Sequence, residues 1–314
     1  MSIAAALGTE NAASVGPSGG PVLAAAPTRR ARSGAYLLLL PGLAYLVVFF
    51  VLPVLALLAT SLYVPVPGGD VGQFQPALHW QNYPDALAAF WPQLVRSFAF
   101  ALIATFAALL IGYPMAYVIA IKARGKPLLQ GLLLVLLIAP FFTSFILRTV
   151  AWKQILADDA FVVTAMKWLH VLPPDGRLTA TAFAVVAGLT YNFLPFMALP
   201  IYASLERMDT RLIEAGGDLY ASGINTFWRV TLPLSMPGVV SGTLLTFIPA
   251  SGDYVNSSLL GNPTSTAMIG QVIDSRFFRV SDYPTASALS VVLMVAILVL
   301  VGLYVRRAGT EDLV

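Results

Sequence analysis

The chain of 314 residues is strongly apolar: 58% of its residues are hydrophobic, 11% are charged, and the mean hydropathy is +0.80. Because soluble domains carry about 25% charged residues, this composition leaves too little charge to cover a soluble surface and indicates that lipid faces much of the exterior. The net charge of +3 is small, and the lack of Cys excludes disulfides and thiolate metal sites.

Six apolar stretches follow a polar beginning. Residues 1–33 are rich in Ala, Gly, Ser and Pro, with basic residues only at the end, which predicts a disordered cytoplasmic tail rather than a signal peptide. A bilayer core needs roughly 20 apolar helical residues. The stretches that meet this length are 36–61, 97–121, 128–150, 180–203, 236–260 and 285–305. The sequence predicts an all-α membrane protein with about six transmembrane helices in one domain, 34–308, and a short cytoplasmic tail, 309–314.

Lys and Arg residues predict the orientation, since they are enriched in cytoplasmic loops. With the N-terminus inside, the inside segments hold 11 of these residues, and the outside segments with the adjoining span ends hold 7. The inside segments are then 1–35, 122–127, 204–235 and 306–314. Both termini are therefore predicted to be cytoplasmic. In an outer loop, the mixed apolar and polar residues of 159–171 predict a short interfacial helix.

Two motifs for nucleotide binding and metal catalysis are missing from the sequence. It contains no G-x-x-x-x-G-K-[ST] and no H-E-x-x-H. Its two His residues, His79 and His170, stand isolated in predicted outer loops, which argues against a catalytic metal site. We therefore predict no enzymatic activity, no metal and no cofactor in this chain. Energy for uphill transport would have to come from a partner or an ion gradient.

The predicted inside loop 204–235 has the pattern of two short helices joined by a bend. Asp209 is a candidate N-cap for a helix that starts near 210, and Ser222 for a second helix that Pro233 ends. The apolar residues at helical spacing are Leu212, Ala215, Gly216 and Leu219 in the first helix, and Ile224, Phe227 and Trp228 in the second. A short amphipathic helix with small residues at its centre suits docking into a groove on another protein.

This loop resembles the hallmark of the permease subunits of binding-protein-dependent ABC importers: Glu-Ala-Ala, three residues, Gly, nine residues, an aliphatic residue, one residue, then Leu-Pro. The matching residues are Glu214-Ala215 and, at the required distance, Val230-x-Leu232-Pro233. The departures are Gly216 for the second Ala and Tyr220 for the Gly.

Three further segments look like the polyamine (spermidine/putrescine-type) branch of that family. They read Arg148-Thr149-x-Ala151-Trp152-x-x-Ile155-Leu156, Asn192-Phe-Leu-Pro-Phe-Met-x-Leu-Pro200-Ile-Tyr-x-Ser204-Leu-Glu206, and Gly252-Asp253-Tyr254-Val255 with Leu260-Gly261. The resemblance extends along residues 36–305.

The resemblance implies the type I ABC importer permease fold, in which the hallmark loop forms a coupling helix seated in a cleft of the ATP-binding subunit. The residues that would contact that subunit, form the hinge or complete the hallmark are Glu214, Ala215, Gly216, Asp218, Gly223, Leu232 and Pro233. The less favoured alternative is that Glu214 and Asp218 form only a solvated face.

The resemblance also implies partners and a location. The expected partners are a pair of ATP-binding subunits that hold ATP and Mg, a second homologous permease subunit, a periplasmic or lipid-anchored solute-binding protein and membrane lipid, but no nucleic acid. The chain would lie in the bacterial inner (plasma) membrane and move its solute by alternating access.

A substrate path is predicted around Asp253, the one acidic residue within a predicted span, because a buried carboxylate should face a bundle interior or an aqueous cavity. The other candidates are Tyr254, Asn256, Tyr191, Asn192 and Trp152. A carboxylate with aromatic faces would suit a cationic amine, through charge pairing and cation–π attraction. Alternatively, Asp253 is a structural group paired with Arg148 or the backbone, and Trp152 belongs to the interfacial aromatic belt.

Two other functions stay open at this point. A permease of the same class could carry another small solute, such as an amino-acid-like compound or an organic anion held by Arg148 or Arg276. An ion-coupled secondary transporter is a remote alternative, because it would usually show inverted repeats and several intramembrane ion ligands.

Overall fold

The computed structural model describes residues 39–209, 211–218 and 222–308. The tails predicted at 1–33 and 309–314 lie outside these residues. The helices are α1 Leu39–Thr60, α2 Asn82–Lys122, α3 Pro127–Phe142, α4 Phe145–Ile155, α5 Phe161–Trp168, α6 Ala182–Arg207, α7 Arg211–Asp218, α8 Gly223–Leu234, α9 Met236–Ser251, α10 Val255–Leu260, α11 Ile269–Phe278 and α12 Tyr283–Ala308. Two short strands, β1 Val64–Pro65 and β2 Phe74–Gln75, pair antiparallel.

Four of these helices, α1, α2, α6 and α12, are each long and apolar enough to cross a membrane. The number rises to 6 if each of two bent helix pairs, α3 with α4 and α8 with α9, counts as one span. The prediction of about six spans therefore depends on those two pairs. The helix within the predicted 159–171 segment is α5, with Val163 buried and Trp168 exposed.

The third predicted span, 128–150, is wrong as a single helix. Helix α3 ends at Phe142, and α4 leaves it at an angle of 97°. The cause is local: Pro140 lies in a tight 3-10 turn at the end of α3, and Thr143 and Ser144 then adopt extended backbone angles. Extended residues cannot continue the helical hydrogen-bond ladder, so the chain turns before α4 begins.

The fifth predicted span, 236–260, is also wrong as a single helix. Helix α9 ends at Ser251, and the helical path resumes only with α10 at Val255. Asp253 therefore lies in a break between two helices and not inside one.

The chain divides into two units, residues up to Val54 and residues from Leu55 onward. In the first, the described residues are helical and apolar, and all but the half-buried Val54 are exposed. In the second, α2, α6 and α9 pack together around buried residues of small or medium size, such as Ala108, Ala198 and Ile201.

Glycines in α9 explain how closely it approaches α6. A Cβ at Gly238 would lie 2.6 Å from the backbone oxygen of Pro200, and a Cβ at Gly242 would lie 2.8 Å from that of Met197. Lipid supplies no hydrophobic drive for the association of membrane helices, so close packing must hold them together. Small residues four apart permit this packing because the two backbones can approach each other. This contact joins the helix before the 204–235 loop to the helix after it.

Candidate functional site

The 204–235 loop forms the two predicted helices, α7 and α8, while residues 210 and 219–221 lie outside the described residues. The Asp209 carboxylate accepts the backbone N–H of Arg211 at 3.0 Å, and the Ser222 hydroxyl accepts that of Asn225 at 3.3 Å. Both groups accept hydrogen bonds from backbone N–H groups at the start of a helix, which have no partner inside the helix. The predicted Ser222 cap is confirmed, and Asp209 bonds the first residue of α7.

Pro233 does not end the second helix, which continues to Leu234 before a bend of 67°. After a π-helical turn at Phe227–Thr231, a new α-helical segment begins at Leu232 with Pro233 in its first turn. A proline at that position is tolerated because the first N–H groups of a helical segment need no partner. Leu232 packs against buried core residues, whereas Pro233 is exposed.

The predicted apolar face of α7 divides in two. Gly216 faces α8, since a Cβ there would lie 3.0 Å from the Thr226 side chain. The side chains of Leu212, Glu214, Ala215 and Asp218 are exposed, and Leu219 lies outside the described residues. Gly223 at the start of α8 is also exposed and has no neighbour within 4 Å of a built Cβ.

On α8, the predicted apolar residues also separate. The Phe227 ring meets the Tyr113 ring edge-to-face with centroids 5.4 Å apart, whereas Ile224 and Trp228 are 72% and 62% exposed. The loop thus presents apolar side chains and the two acidic groups of α7 on its free surface, the combination expected where a partner docks.

Three of the predicted substrate-path residues meet in one buried polar cluster. The Asn192 amide nitrogen donates to the Thr149 hydroxyl at 3.1 Å and to the Asn256 side-chain oxygen at 3.0 Å. The Thr149 hydroxyl lies 3.4 Å from that same oxygen. The backbone N–H of Asn256 donates to the Asp253 carboxylate at 2.7 Å. The cluster, defined as Thr149, Asn192, Asp253 and Asn256, joins α4, α6 and α10.

The Asp253 carboxylate is 7% exposed and holds the first turn of α10. Of the two structural alternatives predicted for it, the bond to the backbone is therefore present. Within the described part of the chain the ion pairs are Arg177–Asp158 and Arg276–Asp282, so Arg148 does not pair with Asp253.

The cluster and Arg148, which precedes Thr149 in the chain, keep unused hydrogen-bonding capacity. Among residues 39–209, 211–218 and 222–308, the buried atoms without a hydrogen-bond partner include Asn192 Oδ1, Asn256 Nδ2, and Arg148 Nε and Nη1. Buried polar groups are nearly always bonded, so these atoms mark a place where a water molecule or a solute would be stabilised. The Arg148 guanidinium lies 5.6 Å from the centre of the Phe145 ring.

The predicted aromatic residues flank the cluster. Trp152 lies one turn after Thr149 on α4, and its ring meets Tyr191, the neighbour of Asn192, with centroids 5.5 Å apart. Both side chains are half-buried, and Tyr254, the neighbour of Asp253, is 47% exposed. The amides and two of the aromatic rings thus lie on three helices, next to the break that carries Asp253 and Tyr254.

Sequence reasoning did not single out Thr149, the fourth member of the cluster. The available signal was its position in the 148–156 segment, next to Arg148 and three residues before Trp152. In the described residues, the structure contains no group of three or more His, Asp or Glu side chains that could hold a metal ion.

Comparisons with known sequences identify the family. A family model described as "Binding-protein-dependent transport system inner membrane component" matches residues 108–308. The spermidine/putrescine transport system permease protein PotB of Escherichia coli (strain K12) is 36% identical over 265 residues, which cover 84% of this chain and 94% of PotB. The inner membrane ABC transporter permease protein YdcU of the same organism is 30% identical over 230 residues, 70% of this chain and 72% of YdcU.

Solved structures show the same fold. A chain of a bacterial ABC transporter that imports the acidic polysaccharide alginate aligns with a TM-score of 0.63 and 18% identity, covering 89% of this chain and 96% of that one. A chain of the MetNI methionine ABC transporter aligns with a TM-score of 0.55 and 17% identity, covering 70% and 94%. The predicted all-α importer permease fold is thereby confirmed.

These matches set aside the ion-coupled secondary transporter. Permeases of this family work with a separate ATPase and a periplasmic binding protein, and the alginate transporter has been solved in complex with its periplasmic protein. This chain belongs to the binding-protein-dependent transport system inner membrane component family and is a multi-pass inner-membrane permease subunit of an ABC importer.

Proposed function

We propose that this permease forms half of the translocation path for a polyamine or a related cationic solute. The observation that carries the proposal is the buried polar cluster around Asp253, flanked by the aromatic side chains of Trp152 and Tyr191. A carboxylate and aromatic faces together attract an ammonium group. The relatives named as spermidine/putrescine permeases, 36% identical over most of the chain, support the same class of solute.

The 204–235 loop is the proposed coupling loop. Its exposed acidic groups, Glu214 and Asp218, would meet basic groups on the ATPase, and the exposed side chains of Ile224 and Trp228 would enter its cleft. The ATPase pair would hold ATP and Mg, and a second permease subunit would complete the path within the lipid bilayer. Closure of the ATPase pair would then move the loop and open the path outward.

Both termini and the coupling loop are proposed to be cytoplasmic. The excess of Lys and Arg in the segments 1–35, 122–127, 204–235 and 306–314 supports this orientation. The solute-binding protein, periplasmic or lipid-anchored, would then dock on the opposite face.

The test is uptake of labelled spermidine and putrescine by the reconstituted transporter with Asp253→Asn. Loss of one charge-assisted contact should raise the apparent KM about tenfold or more, because a hydrogen bond to a charged group is worth somewhat more than a factor of ten. The control is Asp159→Asn, the same change of charge at an exposed position. An unchanged KM and rate for Asp253→Asn would remove this carboxylate from the path.

Arg148 favours a second candidate, a permease for a small anion. Its Nε and Nη1 are buried and have no partner among the described residues, and a guanidinium in this state suits a carboxylate or phosphate. In that case Arg148→Gln should abolish uptake of the anionic solute, whereas Asp253→Asn should leave it intact.

A further inference from the structure

Helix α2 and the turn after it are bonded to the start of the coupling loop. The Arg124 guanidinium donates to the backbone oxygens of Leu205 at 3.3 Å, Glu206 at 2.5 Å and Met208 at 3.1 Å. These oxygens lie at the end of α6, where a helix leaves carbonyl groups without internal donors and a cation complements the negative end of its dipole. Arg124 therefore fixes the point at which the chain leaves α6 for the loop.

The same helix is bonded to the end of the coupling loop. The hydroxyl groups of Tyr113 on α2 and Ser235 between α8 and α9 form a buried hydrogen bond of 2.7 Å. The Tyr113 ring also packs edge-to-face on Phe227 of α8. Because one helix holds both ends of the loop, the ends of α6 and α8 move together with α2 or break these bonds.

The middle of α2 holds a segment distant from the coupling loop. Arg96 donates to the backbone oxygen of Ala267 at 3.1 Å, and the buried Ser97 hydroxyl accepts the backbone N–H of Ile269 at 2.6 Å. Ser97 and Tyr113 are about 24 Å apart along a helix that rises 1.5 Å per residue. The non-helical residue of α2, Phe90, lies before this stretch.

The held segment contacts the backbone next to the proposed substrate group. A Cβ at Gly270 would overlap the backbone oxygen of Gly252 and lie 3.0 Å from that of Asp253. Gly270 thus packs directly on the break that carries Asp253. A displacement of Ile269 along α2 would therefore press on the backbone of Gly252 and Asp253.

We propose that α2 and the turn after it, from Ser97 to Arg124, form a strut that carries movement of the coupling loop to the Asp253 segment. Arg124 and Ser97 are the positioning residues at its two ends. The inference rests on the proposed coupling function and extends it to residues outside the hallmark loop. Between Ser97 and Tyr113 the α-helix is continuous, and Pro114 and the π-helical turn Val118–Lys122 follow it. A continuous helix bonded to two distant segments can transmit displacement between them.

The first test is the amount of spermidine imported per ATP hydrolysed by the complete transporter in proteoliposomes. Arg124→Ala should still co-purify with the ATPase and hydrolyse ATP, but import per ATP should fall about tenfold, within the range of known coupling energies. The matched control is Lys122→Ala, a neighbouring exposed cation without a hydrogen bond in the described residues. The inference would be wrong if Arg124→Ala imported as much spermidine per ATP as Lys122→Ala, or if it lost the ATPase from the complex.

The second test uses the far end. Ser97→Ala should lower import per ATP with the ATPase still bound, since Ser97 lies far from the coupling loop. Arg96→Ala takes its place if that variant fails to fold. The double variant Ser97→Ala with Arg124→Ala should lose no more import per ATP than the worse single variant, because both residues act on one path. If the two losses of import per ATP added, the residues would act independently and the inference would be wrong. If the wild-type permease imported spermidine without any ATPase, the proposed function itself would be wrong.

Discussion

At the scale of single residues, Asn192 is the hub of the buried polar cluster. Its amide nitrogen serves both Thr149 on α4 and Asn256 on α10, so one side chain ties α6 to two other helices. Hydrogen bonds between membrane helices average about 0.6 kcal/mol, with a maximum near 1.7 kcal/mol. Two such bonds at a fully buried residue should therefore contribute to stability as well as to a solute site.

Asn192→Ala is expected to lower the free energy of unfolding by about 1 kcal/mol, because it removes two interhelical bonds and leaves the Thr149 and Asn256 oxygens underbonded. Thermal or denaturant unfolding in detergent measures the change. Thr190→Ala, on the same helix, is the control, since among the described residues its hydroxyl donates to the Val186 oxygen of α6 and to no other helix. An equal loss in both variants would mean that the interhelical bonds add nothing.

The residues of this cluster could be predicted only in part. Asn192, Asp253 and Asn256 stood out because amides and carboxylates are rare within apolar spans. Thr149 did not, because its hydroxyl also bonds the Phe145 oxygen of its own helix, as Thr commonly does in membranes. Its partners lie 43 and 107 residues away along the chain, and no local pattern encodes such a contact.

At the scale of helices, the apolar stretches predicted which segments are helical but not where two of them bend. The 128–150 stretch is continuously apolar, yet it turns by 97° after Pro140. Proline alone is no guide to such a bend, since Pro195 and Pro200 lie inside the unbroken helix α6. A mean hydropathy counts side chains and contains no term for the backbone angles of Thr143 and Ser144.

The contact between α9 and α6 should be sensitive to side-chain size. Gly238→Ala would place a Cβ 2.6 Å from the Pro200 oxygen, so one helix must shift, at an expected cost of about 1–3 kcal/mol in stability. Gly302→Ala in α12 is the matched control, because nothing lies within 4 Å of its Cβ and alanine favours a helix. Thermal unfolding in detergent compares the two. A similar melting temperature for both variants would contradict the close packing.

At the scale of the whole transporter, Glu214 lies where the permease should meet its ATPase. The side chain is exposed on α7 and forms no ion pair with the described residues, so Glu214→Lys should leave the fold intact. We expect it to abolish uptake and weaken ATPase association while membrane insertion stays normal, because it reverses the charge offered to the partner. Co-purification of the ATPase measures the effect, with Asp175→Lys, an exposed loop residue, as the control. Normal uptake by the Glu214 variant would count against the docking surface.

The orientation of the whole molecule can be tested because the chain has no Cys and any single introduced thiol is the only target. Arg124 bonds the oxygens of Leu205, Glu206 and Met208, so a label on neighbouring Lys126 reports on the side that carries the coupling loop. A membrane-impermeant maleimide should label Asp175→Cys in intact spheroplasts, and Lys126→Cys only after permeabilisation, since an ATPase in the cytoplasm can reach only a cytoplasmic loop. The cysteine-free parent should stay unlabelled throughout. Labelling of Lys126→Cys in intact spheroplasts would place the loop on the outer face, where no ATPase could push it.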